Sequence, residues 1–88
     1  MPYILYFTDK SKEDIDFFKK SGNKAVLKKL FSLLEELYDH PFTGTGKPEQ
    51  LKYQLSNQWS RRINKEHRLI YEVNENTVWI NSARGHYY

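Results

Sequence analysis

The sequence predicts an α+β domain in the order strand, helix, helix and four further strands (β-α-α-β-β-β-β), with the helices packed on an antiparallel meander. Three observations carry this. Val26, Leu27, Leu30, Phe31, Leu33, Leu34, Leu37 and Tyr38 recur at helical spacing. From Leu51 onward, four short alternating segments are separated by SNQ, NKE and NEN, which is hairpin spacing. The chain has 88 residues, room for one core of modest depth and therefore one domain over 1–88.

Each element has a local cause. Tyr3 to Phe7, YILYF, is rich in aromatic and β-branched residues and ends at Thr8 and Asp9, so it predicts a strand buried on both faces. Ser11 with Asp14 three residues later is a capping-box variant, Ile15 and Phe18 share one side of the helix that follows, and Gly22 ends it. Asn23 caps the second helix, whose polar side carries Lys24, Lys28, Lys29, Glu35 and Glu36 and which Pro41 stops. PFTGTGKPEQ, with two prolines and two glycines, is a loop. The meander strands are LKYQL (51–55), WSRRI (59–63), HRLIYEV (67–73) and TVWINSA (77–83). In the last of these both alternating sets are apolar, so its faces stay unassigned.

The charge is uneven. Up to Gly46, seven lysines meet seven acids; from Lys47 to Arg68, six bases (Lys47, Lys52, Arg61, Arg62, Lys65, Arg68) meet Glu49 and Glu66. The net charge of +3 therefore originates in the middle segment, where it would attract a polyanion. A solvated surface is the plainer reading of any charge run. Cysteine is absent, which removes disulfides, thiolate nucleophiles and Cys-based zinc sites and suits a reducing compartment. The N-terminal apolar run PYILYF is too short for a signal peptide or a membrane span, so the expectation is a cytoplasmic protein without a membrane partner. His40, His67 and His86 lack ligand spacing, GTGK is too short for a nucleotide-binding P-loop, and a Ser–His–Asp set has no support. No metal or cofactor is expected.

With Asn64, Lys65 and Glu66 as a turn, Ile63 pairs with His67, Arg62 with Arg68, Arg61 with Leu69 and Trp59 with Tyr71. Alternation then puts Trp59, Ile63, Leu69, Tyr71 and Val73 on the core face, with Arg61 and His67 at its edge, and Ser60, Arg62, Arg68 and Ile70 on the other face. Two guanidinium groups across a ladder repel unless an anion lies between them. The pattern is compatible with a phosphate held from two sides and, equally, with two solvated arginines. Glu49 before the sheet and His86 after it would add a base and an acid if they converge on that face.

GKPEQLK, WSRRINKEHRLIY and the terminal ARGHYY, in this order and spacing, resemble the YoeB/Txe family of toxins from toxin–antitoxin pairs, within the wider RelE group of ribosome-dependent mRNA endonucleases. The resemblance covers nearly the whole chain and is most specific from Pro41 to Tyr88. It implies a RelE/YoeB-like fold and metal-independent cleavage of mRNA in the ribosomal A site, with the ribose 2′-hydroxyl as nucleophile. Glu49 then matches the general base, Arg68 the chief stabiliser of the transition state and His86 the general acid. Lys52, Arg62 and Tyr87 match residues that bind the substrate and its phosphate. The chain departs from the family pattern at Tyr88, a second terminal tyrosine, and at Gly85, where relatives often carry a larger residue. The implied partners are the ribosome, mRNA, a cognate antitoxin of YefM/Phd type and a second copy in a homodimer. Two rivals share the fold: a non-catalytic gyrase inhibitor of ParE type, which does not need the Glu, Arg and His set, and a plain RNA-binding module, which the basic stripe and 16% aromatic content would serve.

Overall fold

The computed structural model describes residues 2–52 and 57–85. Its elements are β1 (Ile4–Phe7), α1 (Asp9–Lys20), α2 (Lys24–Leu37), β2 (Glu49–Gln50), β3 (Gln58–Arg62), β4 (Arg68–Asn74) and β5 (Thr77–Ser82). The strands form one sheet in the order β1-β5-β4-β3-β2. β1 runs parallel to β5, and the other pairs are antiparallel. The α+β architecture expected from the sequence is present.

Both helices cover one face of the sheet. Phe18 of α1 and Val26, Leu30, Leu33, Leu34 and Leu37 of α2 bury their side chains against Ile63, Leu69, Tyr71, Val78, Ile80 and Ala83. Each such burial stabilises by about 1.5–3 kcal/mol. Val78 and Ile80 point inward while Trp79 points outward and packs on the Tyr6 ring at 4.5 Å, which settles the facing of β5. Among the described residues, no helix is long and apolar enough to cross a membrane.

Three expectations need correction. β1 is not buried on both faces: it is an edge strand, and Ile4 and Tyr6 remain 58% and 54% exposed because the helices cover one side alone. The cap of α1 is Thr8 rather than Ser11. The Thr8 side chain accepts from the Ser11 amide at 3.2 Å and donates to the Ile80 carbonyl at 3.0 Å, so the residue that ends β1 also starts the helix and ties both to β5. Ser11 and Asp14 are instead buried within α1. The strand expected at 51–55 begins earlier, with β2 at Glu49–Gln50. Leu51 still donates its amide to the Gln58 carbonyl at 2.8 Å, and Tyr53, Gln54 and Leu55 lie outside the described residues. Asn23 caps α2 as expected, accepting from the Val26 amide at 3.3 Å, and Gly22 turns the chain with φ of +71°.

Candidate active site

The turn after β3 is closed by its own asparagine. Asn64 Oδ1 accepts from the Glu66 and His67 amides, each at 2.8 Å, and the Ile63 amide donates to the His67 carbonyl at 3.0 Å. This fixes the register: Trp59 opposite Tyr71, Arg61 opposite Leu69 and Arg62 opposite Arg68. Because β2 pairs Glu49 with Ser60, Glu49 shares the outer face with Ser60 and Arg62. Its Cα is then a diagonal neighbour of Arg62, a relationship that spans about 7–8 Å.

Arg62 is exposed and Arg68 half-buried. One guanidinium nitrogen of Arg68, Nη1, donates to the Asn64 carbonyl at 2.8 Å and the His67 carbonyl at 3.3 Å. Those bonds hold the group over the turn, and among the described residues its Nε and Nη2 make no further hydrogen bond. Among the described residues neither arginine has a carboxylate partner. A shallow recess of about 230 Å³ opens beside Arg62, lined also by Lys29, Gly46, Lys47, Ile63 and Asn64. A wider recess of about 650 Å³, lined among others by Leu5, Phe7, Phe31 and Tyr38, lies on the helix side of the sheet and contains no predicted site residue. The charged face, not the larger cavity, is therefore the candidate site.

Of the six residues predicted, Glu49, Arg62 and Arg68 come together on this face. Lys52 is exposed, three residues beyond Glu49. His86 and Tyr87 lie outside the described residues. The segment leading to them is held at three points. The Ala83 amide donates to Asp14 Oδ2 at 2.9 Å, the Gly85 amide to His67 Nδ1 at 2.9 Å, and the Arg68 amide to the Gly85 carbonyl at 3.0 Å.

Sequence reasoning underrated Arg61. Expected at the edge of the core, it is 0% exposed. Its five donors are all used. Nε donates to Tyr71 Oη at 3.0 Å, Nη1 to Glu36 Oε1 at 2.9 Å and the Thr45 carbonyl at 3.3 Å, and Nη2 to the Thr43 carbonyl at 2.8 Å and the His40 carbonyl. Tyr71 Oη in turn donates a hydrogen bond to the Pro41 carbonyl at 2.7 Å. One inward arginine thus ties the loop before Glu49 to the sheet. Burial would raise the Glu36 pKa, but hydrogen bonds from Thr45 and Arg61 and the guanidinium charge outweigh it, holding the carboxyl below the ordinary value. Burial raises the Tyr71 phenol, against the Arg61 bond and charge. The signal was available in the sequence: an arginine in an otherwise apolar row needs an internal partner.

Residues 7–87 match the family described as YoeB-like toxin of bacterial type II toxin–antitoxin system. The toxin YoeB of Synechocystis is 44% identical over 83 residues, 94% of this chain and 95% of the relative. The chain also resembles the YoeB dimer from Staphylococcus aureus, with a TM-score of 0.85 at 38% identity over 99% of this chain and 100% of the other. A heterotetrameric YoeB–YefM toxin–antitoxin complex from the same organism contains a chain matched with a TM-score of 0.83 at 38% identity, over 99% of this chain and 100% of that one.

Proposed function

The chain belongs to the YoeB-like toxins of bacterial type II toxin–antitoxin systems, and from that membership we propose that it cleaves mRNA in the ribosomal A site, without a metal, and so halts translation. Glu49 takes the proton of the ribose 2′-hydroxyl, and the O2′ attacks the adjacent phosphorus. Arg68 and Arg62 stabilise the charge that grows on the phosphoryl oxygens. His86 donates a proton to the departing O5′ as its bond to phosphorus breaks. The products are a 2′,3′-cyclic phosphate and a 5′-hydroxyl. Lys52 and Tyr87 bind the strand beside the scissile bond.

The observation that carries this reading is the shared face of Glu49, Arg62 and Arg68, with the two cations directly paired and lacking carboxylate partners among the described residues. A positioned base and a positioned acid each contribute roughly 10²- to 10⁴-fold, and a donor aimed at developing charge about 3–4 kcal/mol. A carboxylate is a weak base for a ribose hydroxyl. In-line placement of the RNA by the ribosome supplies the remaining advantage, which accounts for a site that is open rather than enclosed. By analogy with the S. aureus relatives, the partners are a YefM-type antitoxin and a second copy of the chain, and the compartment is the cytoplasm.

Primer extension on a translated transcript tests the proposal. New 5′ ends inside A-site codons, present with the wild type and missing with Glu49→Ala and Arg68→Ala, are expected. DNA breaks without such ends would favour gyrase inhibition. RNA affinity and growth arrest that survive His86→Gln, with no cleavage by any variant, would favour the binding module.

A further inference from the structure

We propose that His67 is a positioning residue: its ring nitrogen orders the backbone at Gly85, one residue before His86 in the sequence, against Arg68, and cleavage depends on that order. The inference rests on the cleavage mechanism above and deepens it. Gly85 is held from both sides of its backbone, its amide donating to His67 Nδ1 at 2.9 Å and its carbonyl accepting from the Arg68 amide at 3.0 Å. The two partners are consecutive residues of one strand start. Gly85 is therefore tied both to the proposed transition-state arginine and to the residue before it.

The imidazole is itself fixed. Its ring meets the buried Phe18 edge-on, with centroids 5.0 Å apart, and its backbone amide is bonded to Asn64 Oδ1. Accepting at Nδ1 requires a nitrogen without a proton there, which assigns the remaining N–H of the neutral ring to Nε2. Gly85 has φ of +89°, a left-handed conformation that a side chain would strain. That geometry turns its amide toward the histidine and gives the glycine a purpose. Upstream, Arg84 lies over the Phe17 ring at 3.6 Å and the Ala83 amide is bonded to buried Asp14. Consecutive residues 83, 84 and 85 are thus each fastened, the first two to α1 and the third to β4, a density of contacts that a frayed terminus does not need.

The test compares His67→Leu, which removes the acceptor, with His67→Asn, whose Oδ1 can replace Nδ1. Two readouts are taken on the full chain: amide hydrogen exchange at Gly85, and single-turnover cleavage of ribosome-bound mRNA beside His86→Gln. In His67→Leu, exchange at Gly85 rises about five- to tenfold, the ratio that one net hydrogen bond represents. Cleavage falls about tenfold to a hundredfold, as misplacement of a reacting group does, with mRNA affinity unchanged. His67→Asn restores both. If His67→Leu fails to fold, Arg84→Gln supplies the second variant, with a smaller rise in Gly85 exchange and a smaller loss of cleavage expected. Exchange at Gly85 that stays at the wild-type value in the folded variants overturns the inference. A wild type that cuts no mRNA overturns the cleavage mechanism instead, and Gly85 exchange still decides whether the clamp exists.

Discussion

Arg62 and Arg68 stand directly opposite each other across the β3–β4 ladder, two like charges in adjacent positions on one outer face. Such a pair is unfavourable in the free protein and becomes favourable when a phosphate sits between its members. An anion bound between the two, as the proposed mechanism requires, would therefore stabilise the sheet.

Removing one member should therefore separate stability from activity. Arg62→Ala is expected to leave thermal stability unchanged or raise it, by up to about 1 kcal/mol at low salt, and the gain should shrink as salt screens the pair. Cleavage should fall in the same variant. Melting curves at two ionic strengths check the first part. A clear loss of stability would mean that Arg62 is held by an attraction on this face.

Arg61 should behave in the opposite way. Arg61→Leu leaves Glu36, Tyr71 and three loop carbonyls without their donor, a loss expected to cost about 3–5 kcal/mol. Arg61→Lys cannot repair it, because an ammonium has three donors where five acceptors wait. Urea unfolding of both variants measures this, and an Arg61→Lys protein as stable as the wild type would contradict it.

The acid limb of stability should depend on Glu36. Its carboxyl titrates below the ordinary glutamate value in the folded state, so the unfolded chain binds more protons in the interval between the two. The contribution is complete above the unfolded value and is lost as pH falls through the folded one. Glu36→Gln should flatten that limb of a plot of melting temperature against pH. Tyr71 acts at the other end. Its raised pKa gives a contribution that is complete below the unfolded phenol value and lost as pH rises through the folded one.

Much of the fold was legible because local rules and burial agreed. The spacing of Val26 to Leu37 and the cap at Asn23 fixed α2, and the NKE turn fixed the register that pairs Arg62 with Arg68. Where the reading failed, tertiary contacts decided. Ser11 looked like a cap, but Thr8 reaches the Ile80 carbonyl as well, and YILYF looked doubly buried because composition cannot say that β1 ends up at an edge. The Arg62 and Arg68 face was readable from the hairpin alternation, whereas Glu49 was expected in the loop before the sheet and its place opposite Ser60 comes from the β2–β3 pairing. The four bonds from Arg61 to Glu36 and the loop carbonyls and the His67 to Gly85 bond were not readable, since each links segments that local pattern does not pair.

Gly46 tests the loop that delivers Glu49. It has φ of +84°, and a Cβ there would lie 3.0 Å from the Arg62 carbonyl oxygen and 3.1 Å from Leu33 Cδ2. Gly46→Ala should cost about 1–2 kcal/mol from the backbone alone and lower cleavage by shifting the β2–β3 pairing. Chemical denaturation beside a cleavage assay checks both. A variant as stable and active as the wild type would show that the close approach has no bearing on the site.

A double-mutant cycle on single-turnover cleavage addresses the shared phosphate most directly, using Arg62→Ala, Arg68→Ala and the two together. If both side chains grip one phosphate, their losses are coupled, and the double variant should depart from the sum by more than about 0.5 kcal/mol. Losses that add independently would mean that the two arginines serve different groups, and the common phosphate would have to be abandoned.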